Sequence, residues 1–191
     1  PTTLVRVLAP LCTVVVVLIG RRDFRGSPRE SETYTLLLLA TLGTVVMGGA
    51  TDLLVLIAAF LLTSIPLYAL IGMARSPAAA EAAMKTYLLG ALSGILLLLG
   101  VTLLFGGTGT TAYGELRGVL AEIPAPIVVA GSVGVVAGLL FKAGGVPLHF
   151  WVPDAAQGAQ GFVAMFVTTV PKIGALIALA WSGISLNIYS Q

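Results

Sequence analysis

Two stretches, GLLFKAGGVPLHFWVPDAAQG at residues 138–158 and FVTTVPKIGALIALAW at residues 166–181, set Lys142, His149, Asp154 and Lys172 among otherwise apolar residues. An amine in apolar surroundings can take up and release a proton, because the cost of keeping its charge there brings discharge within an accessible range of free energy. An imidazole changes charge near neutral pH, which suits His149 to step a proton between a lysine and water. Proton exchange is therefore the chemistry these residue types support.

Their spacing says how deep they lie. Lys172 is twelve residues from Gln160 and nine from Trp181, which at helical rise is about 18 Å and 14 Å. A lysine stem does not span that by snorkelling, so the amine is expected near the bilayer midplane. Such a lysine costs between about 3 and 17 kcal/mol and requires a compensating environment. Carbonyls freed at Pro171 could provide it for a purely structural lysine; the functional alternative is a proton-carrying site. Lys142 could snorkel to the cytoplasmic surface. Gly144, Gly145 and Pro147 tip the reading toward function, because they break the helix and leave carbonyls unpaired, a pattern found where backbone is buried in protein or lines a watery cavity. His149 lies two turns beyond Lys142 on the same stripe if the helix continues, about 10 Å along the axis. Beside Phe150 and Trp151, it could equally anchor the interface. Lys85 is expected to anchor the cytoplasmic mouth of a span, and Asp154 to order a loop through side-chain to backbone bonds. Asp52 is expected to cap a helix, and Pro66 to kink one whose freed carbonyls Thr63 and Ser64 can bond.

The elements that must position these residues are membrane helices. The sequence is 58% hydrophobic and 9% charged, with a mean hydropathy of +1.04, whereas soluble domains carry about 25% charged residues. The reading is all-α: a polytopic bundle of six transmembrane helices forming a single transmembrane domain over 1–191, with spans at about 4–20, 33–50, 52–73, 86–106, 126–146 and 160–182. Arg21, Arg22, Arg25, Arg29, Arg75 and Lys85 fall on one side, and Arg6 and Arg117 on the other. This imbalance puts the first group in the cytoplasm and both chain ends outside. A pI near 9.0 reflects these flanking arginines rather than a nucleic-acid surface. The longest connection, 106–126, contains YGELRGVLAEI, which predicts a short amphipathic helix. Cys12 is alone, so no disulfide or thiolate site can form within the chain. The sequence has no His/Cys/carboxylate cluster for haem, iron–sulfur or zinc, no P-loop and no serine–histidine–acid set. The start at Pro1 predicts a beginning inside a longer protein.

The run LLFKAGGVPLHFWVPDAAQGAQGFVAMFVTTVPKIGALIALA resembles the antiporter-like membrane subunits of respiratory complex I, the bacterial NADH-quinone oxidoreductase. Phe141, Lys142, Pro147, His149, Trp151, Pro153, Asp154 and Lys172 match that family's pattern in order. DLLVLIAAFLLTSIPLYAL and EAAMKTYLLGALSGILLLLG resemble its fifth and sixth helices. The resemblance implies a five-helix antiporter-like repeat with a broken helix near Gly144 to Pro147. It also implies a proton relay through Lys142, His149 and Lys172, set in the bacterial inner membrane beside other membrane subunits. NADH, flavin, iron–sulfur clusters and quinone are expected in those partners, with no cofactor or metal held by this chain. The family glutamate that pairs with the first lysine is replaced by Leu61, and QGAQGFV at 157–163 also departs from the family. Two alternatives follow: an accessory subunit that fills a place in the same kind of complex without conducting protons, and a cation/proton antiporter component.

Overall fold

The computed structural model describes residues 2–185. Over that range the chain is helical: α1 (Thr2–Phe24), α2 (Glu30–Gly48), α3 (Leu53–Gly72), α4 (Pro77–Thr108), α5 (Tyr113–Val119), a 3₁₀ turn at Leu120–Glu122, α6 (Ala125–Ala143), α7 (Trp151–Gly158) and α8 (Gly161–Ser185). Six of these, all but the short α5 and α7, are long and apolar enough to cross a membrane. The short amphipathic helix expected near residue 113 is α5.

The helix ends follow from local chemistry. Asp52 caps α3, its Oδ1 accepting from the N–H of Leu54 at 2.7 Å and of Val55 at 3.4 Å. Ser76 caps α4 through Ala79 N–H at 3.0 Å, and Pro77 occupies the first turn, where its missing N–H costs nothing. That cap starts α4 at Pro77 rather than near 86. The alanine-rich PAAAEAAMK segment is weakly hydropathic but a good helix former, so propensity carries the helix beyond the apolar core. At the same end of the molecule, α6 stops at Ala143 rather than 146. Gly144 takes φ +71°, a left-handed conformation that ends the helix, and its N–H and that of Gly145 turn back to carbonyls of the last turn.

Helix α8 is the hub of the bundle. It packs on α1, α2 and α6, with α3, α5 and α7 also touching it, and it buries Val163, Phe166, Val167, Val170, Ala175 and Ala178. Helix α4 lies along α6 at backbone contact: a Cβ on Gly134 would sit 2.7 Å from Leu96 O and 2.8 Å from Gly100 Cα. Small residues let helices approach this closely in a membrane, where dispersion replaces the hydrophobic drive. Phe162, one of the departures in QGAQGFV, fills the notch left by Gly20 and packs on Phe24 with ring centroids 5.0 Å apart. The outward faces carry Leu18, Leu38, Ile65, Leu99 and Val133, all roughly half exposed, as expected for surfaces meeting hydrocarbon or other helices.

Two sets of contacts mark the ends of the bundle. At one end Lys85 of α4 pairs with Asp154 of α7. At the other, Asp52 before α3 meets the segment after α4: Thr111 Oγ1 donates to Asp52 Oδ2 at 2.6 Å, and Leu53 N–H to Thr111 O at 3.0 Å. Pro66 removes the N–H that would bond Leu62 O. The hydroxyls of Thr63 and Ser64 do not reach that carbonyl; they donate to Ala59 O at 2.7 Å and Phe60 O at 2.6 Å, one turn earlier. The reason is geometric, since a helical serine or threonine reaches its own i−4 carbonyl.

Candidate functional site

Lys142 is 2% exposed, and its amine donates to Ser64 Oγ of α3 at 2.7 Å. The same amine lies 5.3 Å from the centroid of the Phe60 ring, within reach of a cation–π attraction. Ser64 is eleven residues from Leu53 and eight from Gly72, the ends of α3, or about 17 Å and 12 Å along the axis. Lys142 is therefore held at mid-span and does not snorkel. The short α6 explains how a residue so late in its span stays deep: the chain leaves the helix two residues later and covers the remaining depth through the break and α7.

Lys172 is half-buried on α8, eleven residues from Gly161 and thirteen from Ser185. Its amine lies under the break, 3.0 Å from where a Cβ on Gly144 would stand. Absence of a side chain at Gly144 is thus what admits the amine. The break brings the end of the Lys142 helix and the Lys172 amine to one place. Its carbonyls are better satisfied than the sequence suggested: Gly145 N–H donates to Leu140 O at 2.9 Å, and Phe141 O accepts both Gly144 N–H at 3.0 Å and Trp151 Nε1 at 3.0 Å. Trp151, fully buried, also stacks on Phe141 with centroids 5.2 Å apart. The aromatic residues of the FK…W pattern therefore pin the break. The Val146–Pro147 peptide is cis, and Pro147 is exposed.

His149 is placed differently. Because α6 ends at Ala143, the stripe that would have aligned His149 under Lys142 is not formed. The imidazole is exposed, tilted against Phe150 with centroids 5.5 Å apart, and makes no side-chain hydrogen bond to either lysine among the described residues. Asp154 sits in the first turn of α7, and its carboxylate pairs with Lys85 at 3.2 Å instead of bonding loop backbone. Lys85 also pairs with Glu81 at 2.7 Å. An ammonium outcompetes neutral N–H groups for a carboxylate within reach.

Leu61 is 48% exposed and lies on a groove between α3 and α4, a cavity of about 360 Å³ that Ser64, Tyr68, Tyr87 and Gly90 also line. Sequence reasoning missed Ser64 as the partner of Lys142. The one available signal was its position three residues after the missing glutamate, on the same face. Outside the spans, burial pushes the Asp52 carboxyl up, but hydrogen bonds from Thr111, Leu54 and Val55 outweigh it and leave the pKa below its ordinary value. Burial pushes the Tyr113 phenol up to about 12, against the opposing effect of its hydrogen bond with Ser182 at 3.2 Å.

Comparison with known proteins bears on this arrangement. The family model described as NADH:quinone oxidoreductase/Mrp antiporter, TM, matches residues 50–191. The chain is 57% identical over 178 residues to NADH-quinone oxidoreductase subunit N of Mycobacterium sp. (strain JLS), covering 93% of this chain and 38% of that protein. It is 47% identical over 173 residues to subunit N 1 of Streptomyces griseus, covering 91% and 37%. The chain thus spans little more than a third of the length of these relatives. Among solved structures, a chain of respiratory complex I from Thermus thermophilus with bound aureothin superposes with TM-score 0.82 at 34% identity, covering 94% of this chain and 39% of that one. A chain of an archaeal membrane-bound sulfane sulfur reductase superposes with TM-score 0.87 at 28% identity, covering 94% and 37%.

Proposed function

The chain belongs to the membrane family shared by NADH:quinone oxidoreductases and Mrp antiporters, and from that premise we propose that it is part of a proton-translocating subunit of an NADH-quinone oxidoreductase, with Lys142 and Lys172 as relay sites. The observation that carries the reading is a mid-span amine, Lys142, on the helix whose terminal break admits a second one, Lys172. An ammonium at that depth is costly, and no carboxylate pairs with either lysine among the described residues. A protein retains such a group for what its charge can do. Proton gain and loss at amines on the two helices that this break links lets the charge state of one bias the other, and the break supplies backbone irregular enough to bend in response.

His149, exposed near the same end as Asp154, serves as the exchange point with water outside the pair rather than as a bridge between the lysines. The subunit lies in the bacterial inner membrane with both ends of this segment outside the cytoplasm. Other membrane subunits flank it, and NADH, flavin, iron–sulfur clusters and quinone are held elsewhere in the assembly. In inverted vesicles carrying the complete complex, Lys172→Ala is expected to slow proton-coupled NADH oxidation by about 100-fold, the range of a lost acid–base group. An unchanged ratio of protons moved per electron, at an unchanged rate, would overturn the relay.

Leu61 favours a second reading, an accessory subunit that holds its place without conducting. On that reading Leu61→Glu leaves pumping unaltered, whereas a gain in coupled rate counts against it.

A further inference from the structure

Lys142 lacks the carboxylate that the resemblance places at position 61 of α3, yet its amine is not left loose. Ser64 Oγ donates its hydrogen to Phe60 O at 2.6 Å, so the hydroxyl has only lone pairs to offer on its other side. Lys142 fills that side at 2.7 Å, and the Phe60 ring faces the same amine. The carbonyl of Phe60 therefore fixes the rotor of Ser64, and Ser64 fixes Lys142. An acceptor oriented in this way can hold both the ammonium and the neutral amine, because each has an N–H to give. Leu61 and Ser64 share the groove between α3 and α4, and Phe60, whose ring faces the amine, lines it too.

We infer that Ser64 is the positioning residue for Lys142, a neutral hydroxyl that takes over the orienting role of the absent carboxylate at position 61. The inference rests on the relay reading above and deepens it. The two can fail separately.

The experiment uses inverted vesicles with the complete complex, following NADH oxidation and proton uptake together, with assembly checked on native gels. Lys142→Ala tests the relay itself: if it leaves coupled rate and proton ratio intact, the relay reading fails and Ser64 has nothing to position. Given a slow Lys142→Ala, Ser64→Ala is expected to slow coupled turnover about tenfold, equivalent to about 1.4 kcal/mol. Adding Leu61→Glu to Ser64→Ala should restore most of that rate, since a carboxylate one turn along the same face reaches the same amine. A structural defect would not be repaired by a new acid in the groove. Should Ser64→Ala fail to assemble, Ser64→Cys, close in size but a weak acceptor, is expected to show the same loss and the same rescue. Wild-type rate in the assembled serine variant, or a loss that Leu61→Glu does not repair, overturns the positioning role and leaves the relay reading standing.

Discussion

Lys142 illustrates what a single side chain can ask of a fold. Its hydroxyl and aromatic neighbours orient the amine but carry no opposite charge, so the ammonium form is carried at a cost the rest of the bundle must offset. Removing the charge should then spare or improve stability while removing function. Lys142→Met, similar in length and apolar, is expected to leave the thermal unfolding of the purified complex unchanged or raise it, by up to a few kcal/mol, and to abolish proton-coupled turnover. A destabilised variant would mean that the amine is a structural tie. The depth of Lys172 was legible from its spacing within an apolar run; the position of Lys142 allowed snorkelling, and only the Gly144, Gly145 and Pro147 break spoke for depth. The partner of Lys142 was not, because a serine inside a membrane helix ordinarily spends its hydroxyl on its own i−4 carbonyl. Ser64 does that as well; the lone pair that catches Lys142 comes from a contact 78 residues apart in sequence. The Lys85–Asp154 pair was hidden for the same reason, since each residue alone reads as a surface charge.

At the scale of elements, the break after α6 and the cap before α3 show local sequence controlling where functional groups stand. Gly144→Ala puts a methyl on a residue with φ +71°, 2.9 Å from Val152 Cγ2 and 3.0 Å from Lys172 Nζ. The backbone alone resists by about 1–2 kcal/mol, and the amine must move away. Expected results are a lower unfolding temperature and impaired coupling, whereas Gly106→Ala, where a Cβ meets nothing within 4 Å, should alter neither. The Gly-Gly pair signalled a break, but the bond from Trp151 Nε1 to Phe141 O could be seen only once α7 had folded back. Asp52 gives a pH-dependent counterpart outside the membrane. Its folded pKa lies below the ordinary 3.8, so the stability it contributes is present above that value and is lost as pH falls through the folded pKa. Asp52→Ala is therefore expected to cost about 1 kcal/mol at neutral pH, and the difference from wild type should shrink in acid, as thermal unfolding at a series of pH values would show.

The whole molecule adds direction to depth. Six alternating crossings put the Arg21–Arg29 turn, Lys85 and α7 at one end, and Asp52, Thr111 and Tyr113 at the other; the Lys85–Asp154 and Asp52–Thr111 contacts tie each end together. The count and order of spans were legible because hydropathy reports lipid-facing length directly. Their edges were less so, since α4 extends through an alanine-rich segment held by a cap rather than by burial. Which end faces the cytoplasm depends on the arginine-rich turn being retained inside, and the proposed route depends on it too, because His149 and the break open toward that same end. Single cysteines in a Cys12→Ser background of the full-length subunit test this. Ser27 and Gly118 are both exposed, at opposite ends. In intact cells a membrane-impermeant thiol reagent should label Gly118→Cys and leave Ser27→Cys unlabelled until the cells are opened. The reverse pattern would turn the bundle over, so that His149 meets the outer solution and the pair of amines takes its protons from the side to which a pump should deliver them.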